Sequence, residues 1–104
     1  MEGRVAELIR LLQLETHPEG GHFRQIFRSS HDVRGLSGSP RAAMTQIYFL
    51  LATGERSRWH RVAADEVWHF YEGFPLDLLT VAPSGTRVER RRIGPAGAGA
   101  VPLL

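Results

Sequence analysis

The sequence contains no cysteine and no lysine, so all thirteen basic residues are arginines. Without cysteine, the chain can form no disulfide, no thiolate nucleophile and no thiolate-ligated zinc site. Its longest strongly apolar run, residues 47–52, is far shorter than the roughly 20 residues that span a bilayer. The amino end also lacks the pattern of a secretion signal. We therefore expect a cytoplasmic protein with no membrane partner.

The formal net charge is only +2, although the arginines give a high isoelectric point. Proteins that bind nucleic acid concentrate basic charge on one element, often interleaved with aromatic residues. The one dense basic cluster here consists of Arg87, Arg90, Arg91 and Arg92, interrupted by Glu89. Charge of this kind is typical of a solvated edge strand that is protected from pairing. We therefore expect no nucleic-acid partner.

The length of 104 residues corresponds to one domain, residues 1–104. Val5, Leu8, Ile9 and Leu12 recur with helical spacing and predict a short amphipathic helix over residues 4–14 that packs on a sheet. Residues 16–21 follow as a turn rich in glycine.

The remainder of the chain predicts short strands. They cover residues 22–29, 43–52, 57–62, 66–72, 76–82 and 86–93. Residues 30–40 are predicted as a loop, and only the last four residues, 101–104, regain apolar character after Gly94. Strands of this length and spacing indicate a sandwich, a jelly roll or a barrel.

One segment carries most of the chemical information. It reads Gly54-x5-His60-x-Val62-x3-Glu66-x6-Gly73. Residues two apart on a strand share a face. His60 therefore shares a face with Val62, and Glu66 shares a face with Trp68 and Phe70. If the two faces meet inside a barrel, an imidazole and a carboxylate lie together among aromatic walls. A mostly apolar cavity with a few convergent polar groups is typical of a ligand pocket.

This spacing is similar to the first sequence motif of the cupins, with Val62 in place of a second histidine. The matching residues outside the motif are His17-Pro18-Glu19-Gly20-Gly21, Phe23, Arg28-Ser29, Ile47 to Leu51, Trp59 to Val62 and Asp65 to Gly73. From about Leu12 to Gly94 the chain resembles the uncharacterised cupin family five, formerly a domain of unknown function. The resemblance implies an all-β cupin-type double-stranded β-helix, a jelly-roll barrel, with a short N-terminal helix.

The chain also departs from this family. Gln25 stands where the family favours Glu, and the chain lacks the second motif, so we expect that the C-terminal part of the usual family domain is missing. Metal-binding cupins take two histidines and a glutamate from the first motif and another histidine from the second. Only His60 and Glu66 remain here, so we expect no metal and no other cofactor. A weakly bound metal would use those two residues, with help from His22, His69 or a partner chain.

The function stays open between three classes. The first is the binding of a small polar or anionic molecule in the barrel. The residues expected to bind it are His60, Glu66, Trp68, Phe70, Tyr48, Glu19 and Arg24. The second is catalysis, with His60 and Glu66 as general base or acid, as in metal-free sugar-nucleotide epimerases of the cupin superfamily. The third is a non-catalytic interaction module in which the two side chains form a structural pair.

Two further expectations concern the other histidines and the assembly. His69 should face away from Trp68 and Phe70, and His17 should cap the glycine turn. A jelly roll needs about eight strands, and the sequence offers about seven candidates. Exposed strand edges favour pairing, so we expect a homodimer or a larger oligomer.

Overall fold

The computed structural model describes residues 3–35, 38–62 and 64–96, which form one helix followed by short strands. The elements are α1 (Gly3–Leu11), β1 (Glu15–Thr16), β2 (His22–Arg28), β3 (Asp32–Arg34), β4 (Pro40–Ala42), β5 (Thr45–Leu50), β6 (Leu76–Val81) and β7 (Val88–Ile93). This confirms the expected β-rich chain with a short N-terminal helix. The chain divides into two compact units, residues 1–61 and 62–104. The apolar segment 101–104 lies outside the described residues.

Helix α1 ends earlier than the periodicity predicts because the backbone turns at Gln13. This residue has a φ of 53°, the left-handed conformation that commonly ends a helix. The Leu14 amide donates to the Ile9 carbonyl at 2.9 Å, and the Gln13 amide donates to the Arg10 carbonyl at 3.4 Å. These two bonds form a Schellman motif, which satisfies carbonyls at the end of the helix. Val5 and Leu14 are buried.

The first unit is organised around a three-stranded antiparallel sheet in the order β1-β2-β5. Its central strand pairs Phe23 with Phe49 and Arg24 with Tyr48. The register shifts between Gln25 and Phe27, so Ile26 is an extra residue in β2. Such a bulge bends its strand and increases the local twist.

The prediction of a loop over residues 30–40 is wrong in part. Strands β3 and β4 pair within and just beyond it. The Ser29 amide donates to the Met44 carbonyl and the Ala43 amide to the His31 carbonyl, both at 2.8 Å. These bonds carry the pairing of β2 and β5 on into the β3–β4 hairpin. The Ser and Gly content therefore marks only the tip of the hairpin, where Gly38 has a φ of 81°.

The second unit contains the antiparallel pair β6–β7, in which Leu76 lies opposite Ile93 and Leu78 opposite Arg91. Ile93 is 2% exposed, whereas Leu79, on the other face of the hairpin, is 45% exposed. Both strands were expected within one or two residues of their bounds.

The predictions of strands over 57–62 and 66–72 are wrong: both segments are described throughout and neither forms a ladder. A strand requires a second backbone that supplies hydrogen-bond partners along its length. Alternation of side chains predicts which residues share a face, but it does not provide that partner. The motif residues His60 and Glu66 therefore lie on irregular backbone.

Apolar side chains remain exposed in both units. Among the described residues, the buried apolar side chains are Val5, Leu14 and Ile93, while Tyr71 is 78% and Phe74 is 86% exposed. The small sheets described here do not by themselves form a closed barrel. No helix in the described part of the chain is long and apolar enough to cross a membrane.

Candidate functional site

The turn at residues 17–21 is held by its own histidine. The His17 amide donates to the Gly21 carbonyl at 2.9 Å, and the Gly20 amide donates to the His17 carbonyl at 3.0 Å. The Glu19 amide donates to His17 Nδ1 at 3.0 Å. The His17 ring also packs edge-on against Phe23, with the ring centroids 4.8 Å apart. His17 therefore shapes the turn that presents Glu19, as expected for a capping residue.

This turn lies against the segment that leads into the motif histidine. The Arg58 amide donates to the Glu19 carbonyl at 2.7 Å, and the Arg58 guanidinium donates to the Pro18 carbonyl. Gly20 has a φ of 115°, and a Cβ added there would lie 2.2 Å from the Arg56 carbonyl oxygen. Only glycine fits this approach, because both the conformation and the space exclude a side chain.

His60 is exposed and its ring is oriented by the same segment. Its Nδ1 lies 2.7 Å from the Arg58 carbonyl oxygen. A carbonyl oxygen only accepts hydrogen bonds, so Nδ1 carries the proton in this contact. In the neutral imidazole, the lone pair is then on Nε2. His60 can accordingly accept a hydrogen bond or a proton at Nε2.

Two other expected site residues lie on one face of the first sheet. Arg24 of β2 is directly opposite Tyr48 of β5, and directly opposite residues interact across an antiparallel pair. His22, two residues before Arg24, shares this face. Its Nδ1 is buried and has no hydrogen-bond partner within the described residues. Tyr48 is half-buried and Arg24 is exposed.

The remaining site residues lie in the second unit. Trp68 and Phe70 are half-buried, whereas Val67, His69 and Tyr71 are exposed. This alternation is the one the sequence predicts for residues 67–71, although the segment is not paired as a strand, and it does not extend to Glu66. Glu66 is exposed. Because His60 belongs to the first unit and Glu66 to the second, their pairing stays a prediction.

Sequence reasoning did not single out Arg58. Its contact with Pro18 joins residues 40 positions apart, and no local pattern indicates such a contact. The only available signal was its position two residues before His60, within the five variable residues of the motif. A strand interpretation placed its side chain on the His60 face, but nothing indicated a link to the glycine turn.

The basic cluster near the end of the described chain surrounds one carboxylate. Asp77 of β6 accepts a hydrogen bond from Arg90 at 2.7 Å and another from Arg92 at 3.2 Å. The Arg90 and then the Arg92 hydrogen bonds hold the pKa of Asp77 below its usual value. Arg91 lies 3.8 Å from Glu89 on the other face. These contacts agree with the expectation of a solvated, charged strand.

The described residues do not fit a cupin metal centre. No group of three or more His, Asp or Glu side chains within residues 3–35, 38–62 and 64–96 is arranged to hold a metal ion. The motif supplies His60 and Glu66, and Val62 occupies the position of the second histidine. A catalytic metal site usually needs three protein ligands.

Comparison with known proteins identifies the family. Residues 6–103 match the family described as Cupin superfamily (DUF985), and the chain belongs to it. It is similar to a hypothetical protein from Leishmania major, with 33% identity, 88% of this chain and 57% of that chain covered, and a TM-score of 0.82. It is also similar to a protein from Shewanella oneidensis, with 37% identity, 94% and 60% covered, and a TM-score of 0.78.

The chain thus spans 57% and 60% of the length of these two solved structures. No curated protein matches it.

Proposed function

We propose that this cupin-family chain binds a small polar or anionic molecule in a jelly-roll barrel, at a site formed by His60 and Glu66. The observation that carries the proposal is the exposed imidazole of His60, which is oriented through Nδ1 by a backbone carbonyl. An oriented polar group at an accessible position is what a ligand site requires, because the orientation is established before binding.

The other residues support the same assignment. Arg24, which lies opposite Tyr48 in the sheet, is exposed and supplies a guanidinium for polar ligand groups. Trp68 and Phe70 are half-buried aromatic residues, and most small-molecule sites are lined by residues of this kind. Glu66 supplies a carboxylate that can accept hydrogen bonds from ligand hydroxyl or amine groups.

Ligand binding is tested by screening a library of small polar metabolites for thermal stabilisation of the purified chain. A ligand that binds only the native state raises the free energy of unfolding by RT ln(1 + L/Kd), where L is the ligand concentration, so the stabilisation grows with the logarithm of that concentration once it exceeds Kd. His60→Ala and Glu66→Gln should abolish the stabilisation. His69→Ala is the matched control, because this histidine is exposed and expected to lie outside the site. Equal loss in all three variants contradicts the assignment of the site.

A metal-free epimerase or isomerase is a second candidate, favoured by the free lone pair on Nε2 of His60. A neutral imidazole with one nitrogen held by a carbonyl can accept a proton at the other. The test is incubation with nucleotide sugars in deuterated water, followed by mass spectrometry. Deuterium incorporation that is lost in His60→Ala supports an enzyme, and binding without exchange supports a binding protein.

A further inference from the structure

We propose that Arg58 is the positioning residue of the His60 site and that it makes His60 an acceptor, selective for ligands that offer a hydrogen-bond donor. This inference rests on the proposed function, since it assigns a role to a residue of that site. It goes beyond the family motif, because Arg58 occupies one of the motif's variable positions.

The carbonyl, the amide and the guanidinium of Arg58 each make a hydrogen bond to a different residue. Its carbonyl oxygen lies 2.7 Å from His60 Nδ1. Its amide donates to the Glu19 carbonyl at 2.7 Å, and its guanidinium donates to the Pro18 carbonyl. One residue thus connects the imidazole of His60 to the turn that carries Glu19. A displacement of Arg58 alters both the ring and the turn.

The carbonyl contact decides the chemistry of the imidazole. A neutral histidine has one N–H and one nitrogen lone pair. The N–H of His60 donates its hydrogen bond to the Arg58 carbonyl oxygen. The Nε2 lone pair then requires a donor from the ligand, such as a hydroxyl, an amine or an amide N–H. A fully ionised anion without a donor can bind at Nε2 only when the ring is an imidazolium. The ligand class that fits neutral His60 is therefore a polar molecule with hydroxyl or amine groups.

His17 provides an internal reference with the opposite arrangement. Its Nδ1 lies 3.0 Å from the Glu19 amide. Because a backbone amide only donates, Nδ1 of His17 must be the acceptor and Nε2 must carry the proton. His60 should thus be the Nδ1–H tautomer and His17 the Nε2–H tautomer in the same sample.

The test is ¹⁵N nuclear magnetic resonance of the imidazole nitrogens in the full chain at alkaline pH, where the rings are neutral. We expect a protonated Nδ1 for His60 and a protonated Nε2 for His17. A protonated Nε2 on His60 overturns the proposal. The measurement needs no ligand, so its result is independent of whether the proposed binding function holds.

Substitutions of Arg58 distinguish the contribution of its side chain from that of its backbone hydrogen bonds. Arg58→Ala removes the guanidinium bond to Pro18, and the dominant Nδ1–H signal of His60 should be lost in favour of mixed tautomers. Arg58→Lys, which keeps a donor, should restore part of it. Arg56→Ala is the matched control, since it removes an arginine two residues away and should leave both rings unchanged. An unchanged His60 spectrum in folded Arg58→Ala, or equal effects of the two alanine variants, overturns the role of Arg58.

Selectivity is tested with sulfate, an anion that has no proton to donate, and with glycerol as the hydroxyl probe. Glycerol should shift the Nε2 resonance of the neutral His60 ring, and sulfate should leave it unchanged. A sulfate response at Nε2 of the neutral ring, without a glycerol response, contradicts the selectivity for donors.

Discussion

Replacement of Gly20 by alanine should destabilise the first unit more than its backbone strain alone explains. Gly20 has a φ of 115°, and a Cβ there would lie 2.2 Å from the Arg56 carbonyl oxygen. A residue with a side chain in such a sparsely populated conformation costs about 1–3 kcal/mol. The contact adds to this cost because its partner is backbone, which cannot rotate away.

The size of the added cost follows from the bonds near this contact. Contacts of Cβ atoms under 3.0 Å are essentially never observed, so the turn must move away from residues 56–58. That movement strains or breaks the amide bond from Arg58 to Glu19 and the guanidinium bond to Pro18. Each hydrogen bond contributes about 0.5–1.5 kcal/mol net. The total expected loss is about 2–6 kcal/mol.

Two other glycines provide matched controls. Gly73 has a φ of 109° and Gly54, in the same unit as Gly20, has a φ of 84°, yet neither has an atom within 4 Å of an added Cβ. Gly73→Ala and Gly54→Ala should therefore cost only the strain, about 1–3 kcal/mol.

The assay is urea unfolding followed by circular dichroism and tryptophan fluorescence, with stability compared among the three variants. If Gly20→Ala is no more destabilising than the two controls, the turn is not held against residues 56–58 in solution. In that case Arg58 would not connect His60 to the turn either.

Three further outcomes are expected. Because the arginines depress the pKa of Asp77 from about 3.8, its carboxylate stabilises the fold above that pH and the contribution is lost as pH falls through the lower native pKa. Asp77→Asn should flatten the acid limb of the stability curve, and an unchanged acid limb contradicts this. Light scattering should detect a homodimer or larger oligomer, because exposed apolar side chains and strand edges favour association; a well-folded monomer at micromolar concentration would refute it. Elemental analysis should find substoichiometric transition metal, and a stoichiometric metal that His60→Ala removes would count against the two-ligand argument.

Local sequence patterns were sufficient for several elements. The apolar spacing in residues 4–14 predicted α1, alternation predicted β2, and short runs between turn residues predicted β5, β6 and β7, all to within a few residues. These patterns work because helix and strand periodicity are properties of neighbouring residues. The spacing from Gly54 to Gly73, together with the segment His17 to Gly21, indicated the cupin family, which the match over residues 6–103 confirms.

The sequence could not show which segment of the chain supplies the hydrogen-bond partners of another segment. Whether residues 57–62 form a strand depends on a second chain segment, and their alternation carries no information about it. The same holds for the β3–β4 hairpin, the bulge at Ile26 and the contact between Arg58 and Pro18. Each of these depends on hydrogen bonds between separate segments of the chain. The sequence alone determined which residues are suited to the site. Only the tertiary structure decided that Arg58 lies against the turn at residues 17–21, because this contact joins residues 40 positions apart in the chain.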